Sequence, residues 1–146
     1  IDFSHAVFNK KIDTKENKTI EIITKWPIKK LGEIAEIKKG KSITSSDVKP
    51  GKIKVVAGGQ NYAFFHNESN CSSNTITVSA SGAYAGFVNY WEEPIFASDC
   101  STVNCSDLLT QKYIYYYLKY MQKSIYDVFH TKTKLYITAT KLINLF

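Results

Sequence analysis

A turn of small residues joins two β-type runs in the segment Ser79-Ala-Ser-Gly-Ala-Tyr-Ala-Gly-Phe-Val-Asn-Tyr-Trp91. Its two glycines, Gly82 and Gly86, allow the backbone to approach a large partner without collision of a Cβ atom. The β-branched and aromatic residues around them favour strands. We therefore predict a strand, a turn and a second strand, with Ser81 and Tyr84 presented outward by the turn. The same glycines would also suit a hairpin or a β-bulge that contacts no partner.

Similar short runs recur through the middle of the chain, separated by turn clusters such as Asp47–Gly51. The predicted strands are Ile53–Ala57, Tyr62–Phe65, Thr75–Val78, Gly86–Trp91, Ile95–Ala97 and Thr102–Val103, with a further strand-like run at Leu135–Ile137. Short strands with frequent turns are typical of a mainly antiparallel sheet.

Two helices are predicted, one before and one after this β-rich region. Apolar residues recur with helical spacing before Lys38-Lys39-Gly40, which predicts a short helix over Lys30–Ile37. A longer apolar stripe follows the N-cap candidate Asp107 and predicts one helix near residues 107–129. The predicted fold class is α+β, with a small mixed, mainly antiparallel sheet of short strands packed against one long helix and a short N-terminal helix.

Tyrosines surround the predicted long helix instead of lining one stripe. They are Tyr113, Tyr115, Tyr116, Tyr117 and Tyr120. Some would lie at the edge of the core with their hydroxyl groups in water. Others could form a stacking platform for exposed bases.

Positive charge is concentrated at the two ends of the chain. The sequence carries 19 basic and 13 acidic residues, a net charge of +6, and every basic residue is a lysine. Residues 55–111 contain no lysine and five acidic residues. The lysine-rich ends could bind phosphates while the polar, aromatic middle approaches bases, although lysines that only solubilise outer faces would give the same pattern. Without arginine, base reading would depend on Lys, Asn, Gln, Ser, Thr and Tyr.

The residue patterns of common catalytic sites are missing from the sequence. It contains no Walker loop, no Gly-x-Ser-x-Gly elbow and no Asn-Pro-Pro-Tyr or Asp-Pro-Pro-Tyr run for adenine methylation. Glu36-Ile37-Lys38 resembles the end of a metal-dependent nuclease motif, but so short a match is common by chance. His5, His66 and His130 lack metal-binding companions in sequence, and each is expected on the surface or in a turn.

The three cysteines, Cys71, Cys100 and Cys105, lack the spacing of a zinc site and are expected to be reduced structural thiols. A bridge between Cys100 and Cys105 is the alternative. No apolar run has the length of a membrane span, and no signal-peptide pattern occurs at the start. We expect a cytoplasmic domain that requires no cofactor and no membrane.

Several motifs occur in an order that resembles the target-recognition domain of type I restriction-modification specificity subunits, or of proteins in which a methyltransferase is fused to a specificity region. The motifs are Trp26, Leu31–Ile34, Gly40–Thr44, Gly58–Gln60, Ser79–Asn89, Phe96–Cys100 and Tyr116–Leu118. Ordered agreement over residues 26–146 is more specific than any single motif. One departure is the loop His130–Lys134, where the family often carries glycine and glutamine.

The resemblance implies a domain that reads one part of a short double-stranded DNA target, while methyltransferase and restriction subunits or domains carry the chemistry. It implies no catalytic residue and no metal ligand in this chain. The residues expected at the DNA are Lys39, Lys41, Ser42, Thr44, Gln60, Asn61, Tyr62, Ser81, Tyr84, Asn89, Lys132, Lys134 and Tyr136. We expect the half-target to include at least one A·T pair read by Asn or Gln.

The chain divides into two regions by composition. Residues 1–25 are polar and lysine-rich and are expected to be a linker or appendage from an upstream region. Residues 26–146 are expected to form the recognition domain, truncated at its C-terminal end because the chain stops on apolar residues. A competing hypothesis is a protein-interaction module, whose aromatic helix face docks on a partner and whose lysines only keep it soluble.

Overall fold

The computed structural model describes residues 12–13, 19–20 and 29–130, and its secondary structure consists of short strands, a short helix after the second strand, and two further helices after the last strand. The strands are β1 (Ile12–Asp13), β2 (Thr19–Ile20), β3 (Glu36–Lys39), β4 (Ile53–Val56), β5 (Tyr62–His66), β6 (Thr75–Ser79), β7 (Val88–Trp91), β8 (Ile95–Ala97) and β9 (Cys100–Asn104). The helices are α1 (Leu31–Ile34), α2 (Leu108–Tyr120) and α3 (Gln122–His130), and a 3-10 turn covers Gly82–Tyr84.

The strands after residue 30 form two sheets. A four-stranded antiparallel sheet has the order β3-β9-β6-β7, with Ile76 opposite both Val103 and Tyr90. A three-stranded sheet has the order β5-β4-β8, in which β4 pairs antiparallel with β5 and parallel with β8. β1 and β2 form a separate antiparallel pair. The predicted α+β class with mainly antiparallel strands is confirmed, and the strands divide between two sheets instead of forming one.

β6 is buried along its whole length because both of its faces are covered. Its apolar residues Ile76 and Val78 join the main core, to which α1, α2 and α3 contribute Leu31, Leu118 and Ile125. On the opposite face, the Thr77 hydroxyl accepts a hydrogen bond of 2.9 Å from the indole Nε1 of Trp91. The polar and apolar residues of β6 therefore alternate between two buried faces, and neither face of the strand is exposed to solvent.

A second, smaller cluster lies between the two sheets. It contains Val56, Trp91, Ile95, Ala97 and Cys100. The Ser98 N–H donates to the Val56 carbonyl at 2.8 Å, so the residue after β8 is tied to the end of β4. Two residues, Ser98 and Asp99, then carry the chain from β8 in one sheet to β9 in the other.

The predicted helix over Lys30–Ile37 is wrong in its second half. The helix ends at Ile34, and Ala35 is extended, with φ −141° and ψ 146°. Residues 36–39 pair with β9 as strand β3. Ile37 packs against the main core from this strand. Its spacing fits a helix, but it reaches the core because the strand pairs with a distant part of the chain.

The predicted single helix near residues 107–129 is interrupted at Met121, where ψ is 5°. The Ile125 N–H bonds to the Met121 carbonyl at 2.9 Å, so helical bonding resumes at once. The N-terminus is capped as expected, because the Asp107 carboxylate accepts from the Thr110 N–H at 2.7 Å. The predicted apolar stripe consists of Ile114, Leu118, Met121, Ile125 and Val128, and the first four of these are buried.

Gln111 ties the start of α2 to the sheet. Its side chain is 2% exposed, and its Nε2 donates to the carbonyls of Asn74 (2.8 Å) and Val103 (2.9 Å). Its Oε1 accepts from the Cys105 N–H at 2.7 Å. One amide therefore satisfies three backbone groups, as buried polar groups require.

The edge of β8 is also covered by an amide side chain. Asn70 Oδ1 accepts from the Ala97 N–H at 2.7 Å, and its Nδ2 donates to the Ala97 carbonyl at 2.9 Å. The neighbouring Cys71 exchanges backbone hydrogen bonds with Ile95. This side-chain pairing closes an edge that would otherwise offer free backbone groups to another strand.

All three cysteines are free thiols, and they differ in accessibility. Cys100 is 1% exposed, and burial raises its pKa from 9.0 to about 12, with smaller contributions from Cys71 and Asp99. Cys105 is only partly buried.

We expect iodoacetamide at pH 8 to label Cys105 rapidly and Cys100 only as fast as the protein unfolds, because the Cys100 thiolate is both disfavoured and inaccessible. Peptide mass spectrometry after timed quenching measures both rates. Because the folded pKa is raised, the stabilisation from the neutral Cys100 thiol should be complete below pH 9 and be lost as the pH rises towards 12. Equal labelling rates for the two cysteines would contradict this account.

Some predictions fall outside the described residues. They are the linker 1–25 apart from residues 12–13 and 19–20, Trp26, His5, the strand-like run Leu135–Ile137, and the loop residues 131–134. None of the helices among the described residues has the length and hydropathy of a membrane span.

Candidate functional site

Four loops meet at one end of the two sheets. β3, β4, β6 and β8 end there, and β5, β7 and β9 begin there, as follows from the strand pairings. We call this end the loop surface, defined as residues 39–44, 58–62, 80–87 and 98–99. Ten of the thirteen residues expected at a nucleic acid belong to it or adjoin it. Lys132, Lys134 and Tyr136 lie outside the described residues.

The first loop is joined to the link between the sheets through Gly40. The Gly40 N–H donates to the Cys100 carbonyl at 2.8 Å, and the Lys41 N–H donates to the Ala97 carbonyl at 3.0 Å. A Cβ atom on Gly40 would lie 2.1 Å from the Ser98 carbonyl oxygen, so only glycine fits this contact. Lys39 and Lys41 flank Gly40 and are both exposed.

The second loop is held by two side chains of the four-stranded sheet. The Ser79 hydroxyl donates to the Gly59 carbonyl at 2.9 Å, and Asn89 Nδ2 donates to the Gln60 carbonyl at 3.2 Å. The side chains of Gln60 and Asn61 are exposed. Asn89, which the sequence suggested as a base contact, therefore also has a structural role in positioning Gln60.

The third loop contains the turn of small residues between β6 and β7. Gly82 has φ 75° and Gly86 has φ 93°, and the Gly86 N–H donates to the Ser79 carbonyl at 2.9 Å. Tyr84 is 45% exposed at the tip. The prediction of a strand, a turn and a strand in this segment is confirmed, with the second strand beginning at Val88.

The third loop also contacts the fourth. The Ala80 N–H donates to the Asp99 carbonyl at 3.2 Å, and the Ser81 hydroxyl donates to the Asp99 carboxylate. Asp99 is exposed, and Ser81 is half-buried. An acidic side chain therefore lies among residues that were expected to face a polyanion.

One face of the helices clamps the third loop onto the sheet. Lys119 Nζ donates to the Val88 carbonyl at 2.9 Å and lies 4.1 Å from the centre of the Phe87 ring. Gln122 accepts from the Val88 N–H at 2.9 Å and donates to the Gly86 carbonyl at 2.8 Å. These bonds satisfy the N–H and the carbonyl of Val88 at the start of β7. Burial lowers the pKa of Lys119, consistent with its close packing.

Tyr126 continues this clamp along α3. Burial raises its pKa, while a side-chain hydrogen bond with Gln60 acts in the opposite direction, and Tyr84 lies close enough to contribute electrostatically. Loops two and three are thus supported by the same helix. The sequence analysis missed Lys119, Gln122 and Tyr126 because their polar contacts join residues that are 31 or more positions apart. Their only sequence signal is helical spacing on one face.

Two of the expected contact residues have other partners. Thr44 closes its own turn, because its N–H and its hydroxyl donate to the Asp47 carboxylate at 3.1 and 2.5 Å. The hydrogen bonds from Thr44 lower the pKa of Asp47. The Tyr62 ring packs 4.9 Å from the Phe65 ring and 5.4 Å below Lys54 Nζ. Ser42 is exposed and lies two residues beyond Gly40.

The Glu36-Ile37-Lys38 tripeptide and His66 have no companions for metal-dependent chemistry among the described residues. Glu36 and Lys38 form an exposed ion pair of 2.9 Å with each other on β3. No group of three potential metal ligands occurs among residues 29–130. The expectation that His66 lies on the surface or in a turn is wrong, because it is 6% exposed in β5 and its Nδ1 accepts from the Lys49 N–H at 3.2 Å.

The chain is similar to a known family and to solved structures. A family model described as Type I restriction modification DNA specificity domain matches residues 23–145. No curated protein matches the chain. A type I restriction-modification S subunit from M. genitalium is 26% identical, with a TM-score of 0.68 over 79% of this chain and 32% of that chain.

Two more distant structures share the fold. The HsdS subunit from Thermoanaerobacter tengcongensis is 17% identical, with a TM-score of 0.56 over 78% of this chain and 30% of that chain. A chain from a structure describing complex assembly and conformational transition of the type I R-M system is 19% identical, with a TM-score of 0.61 over 78% of this chain and 31% of that chain. The chain thus spans about a third of the length of these structures.

Proposed function

The chain belongs to the family of type I restriction-modification DNA specificity domains, which is a non-catalytic class, and we propose that it reads one half of a double-stranded DNA target. In this proposal it directs adenine methylation and restriction that other subunits or domains perform. The observation that carries the proposal is the convergence of four loops at one end of two sheets, where most of the expected contact residues are exposed.

The chemistry of the loop surface suits a duplex. Lys39 and Lys41 offer ammonium groups for phosphate oxygens, which fix the position of a protein on DNA without reading sequence. Gln60, Asn61 and Tyr84 offer polar groups next to them, and Asn or Gln can pair with adenine N6 and N7 in the major groove. Lys132, Lys134 and Tyr136 remain part of the proposed contact set. Such a chain would act where DNA is held, in the cytoplasm.

Selection of bound sequences from a random duplex pool tests the proposal, with the chain assembled with its methyltransferase subunit. We expect a defined half-target with at least one A·T pair. Replacing Lys39 and Lys41 together by Gln should weaken binding equally for all sequences and reduce the slope of log K against log salt by about 2, because about 0.9 counterions are released per phosphate contact. Lys52→Gln, an exposed lysine before β4, is the matched control.

Absence of any selected sequence would refute DNA recognition. Unchanged salt dependence in the double lysine variant would refute the assignment of phosphate contacts to Lys39 and Lys41. The control separates a local effect from a general loss of positive charge, because Lys52→Gln should leave the slope unchanged.

A second candidate function is favoured by one observation on α2. Four large side chains lie on its outer face at helical spacing and are more than half exposed: Leu109 (79%), Tyr113 (54%), Tyr116 (67%) and Tyr120 (74%). Such a stripe is typical of a helix that packs against another helix. If this face binds the methyltransferase subunit, replacing Tyr116 and Tyr120 by Ser should abolish assembly while leaving the fold intact. If this face is the only functional surface, replacing Lys39 and Lys41 by Gln should have no effect on DNA binding.

A further inference from the structure

Ser81 and Asp99 form a polar pair at the centre of the loop surface. The Ser81 hydroxyl donates to Asp99 Oδ2, and the Asp99 carbonyl accepts from the Ala80 N–H at 3.2 Å. Gly58 packs beneath the pair, since a Cβ atom there would lie 3.0 Å from Ser81 Oγ and 3.3 Å from Asp99 Oδ2. Three loops therefore fix the position of one exposed carboxylate.

The bonding of this pair leaves only hydrogen-bond acceptors free. A serine hydroxyl has one proton, and Ser81 gives it to Asp99. An ionised carboxylate has no proton to donate and can accept several hydrogen bonds. Among the described residues, no lysine ammonium forms an ion pair with Asp99. Any partner that binds the pair directly must therefore be a donor.

Duplex DNA offers donors only at particular positions. Phosphates are anionic acceptors and would be repelled by Asp99, so a carboxylate on a DNA-facing surface has to meet base edges. In the major groove the donors are the N4 amino group of cytosine and the N6 amino group of adenine, whereas guanine N7 and O6 and thymine O4 are acceptors.

We propose that Ser81 and Asp99 act as a specificity-determining pair that accepts a hydrogen bond from the exocyclic amino group of one adenine or cytosine in the half-target. This inference rests on the proposed function and names a chemical feature of its ligand. It assigns a reading role to Asp99, which the sequence analysis placed only within a motif. It also gives Ser81, which was expected at the DNA, the role of an acceptor, because its one hydroxyl proton is donated to Asp99.

Removal of the amino group from each candidate base tests this directly. With the selected half-target as probe, each adenine is replaced in turn by purine, which lacks the N6 amino group, and each cytosine by 2-pyrimidinone, which lacks the N4 amino group. At one position the wild-type complex should lose about 10-fold or more in affinity, as expected for a hydrogen bond to a charged group. Whether the sensitive position is adenine or cytosine identifies the base.

Asp99→Asn supplies the second half of the test. Asparagine keeps an oxygen that can accept from Ser81, but its amide adds a donor opposite the amino group of the base. In this variant the same base replacement should cost less than about 2-fold, and the preferred base pair at this position should change. Glu92→Gln, an exposed carboxylate at the other end of the sheets, makes the same change of charge and should behave as wild type.

The outcomes separate the two levels of the argument. If the wild-type complex shows no sequence preference, the proposed function itself is refuted. A wild-type complex that selects a sequence, but in which Asp99→Asn lowers affinity uniformly and leaves the cost of amino-group removal unchanged, would show that the pair only holds the loops together. Thermal unfolding of each variant confirms that the comparison is made between folded proteins.

Discussion

Replacing Gln111 by Leu is expected to lower the free energy of unfolding by about 3–5 kcal/mol. The side chain bonds to the Cys105 N–H and to the carbonyls of Asn74 and Val103. Gln111 and Val103 are buried, whereas Asn74 and Cys105 are partly buried. Leucine would leave three backbone groups unpaired, each at a cost of about 1–3 kcal/mol before water partly replaces the bonds. Domains of this size are stable by only about 5–15 kcal/mol, so the substitution would remove a large share of the free energy of unfolding.

Urea titration followed by circular dichroism measures this effect, and the melting temperature should fall by about 10–20 °C. Lys112→Leu is the matched control, since it introduces the same side chain at the next, exposed position of α2 and should change stability by less than about 0.5 kcal/mol. Equal stability of the two variants would mean that the Gln111 bonds contribute nothing that water cannot supply.

Replacing Gly40 by Ala is expected to cost about 2–4 kcal/mol and to disturb the loop surface. The new methyl group would lie 2.1 Å from the Ser98 carbonyl oxygen and 2.8 Å from the Ala97 carbonyl oxygen, and both belong to the backbone. The first loop must move away, which strains the packing and breaks the hydrogen bonds of Gly40 and Lys41 to Cys100 and Ala97. Lys41 and Asp99 would then no longer be held in their present positions.

Gly59→Ala provides a control within the same surface. A Cβ atom at Gly59 would meet its nearest neighbour, the Asn61 carbonyl oxygen, at 3.6 Å, which is ordinary contact. This variant should be neutral or slightly more stable, because alanine restricts the unfolded chain more than glycine does. If Gly40→Ala melts at the same temperature as Gly59→Ala, the close approach of the first loop to Ser98 is not a constraint on the fold.

Much of the candidate site could be anticipated from sequence because glycine and small polar residues mark loops directly. Gly40, Gly58 and Gly82 lie in three of the four loops, as the motif order implied. Asp99 was not proposed as a contact residue because its pairing with Ser81 spans 18 positions and leaves no periodic trace. Thr44 was expected at the DNA, and its hydroxyl donates instead to the Asp47 carboxylate three residues further on, in a local turn that the predicted Asp47–Gly51 turn did not include.

Sequence patterns predicted those strands whose extended backbone is specified by neighbouring residues alone. β4, β6 and β8 were predicted to within a residue or so, because β-branched residues between turn signals specify an extended backbone within a few positions. The start of the region Glu36–Lys39 was assigned to a helix because its apolar residue, Ile37, fits both the helical and the strand spacing of apolar residues. Pairing with β9, more than 60 residues away, made the choice.

The amino-acid order of this chain was sufficient for its class, its turns, the stripe of α2 and a membership in a family of DNA specificity domains, because each of these depends on residues close together or on motifs in sequence. Folding in three dimensions decided which loops share one surface, which strands form each sheet, and how Lys119, Gln122 and Tyr126 support the loops. Those features rest on hydrogen bonds such as Ser79 to Gly59 and Val88 to Gln122. Such bonds form only when packing of the two cores has brought distant segments together, so no local pattern encodes them.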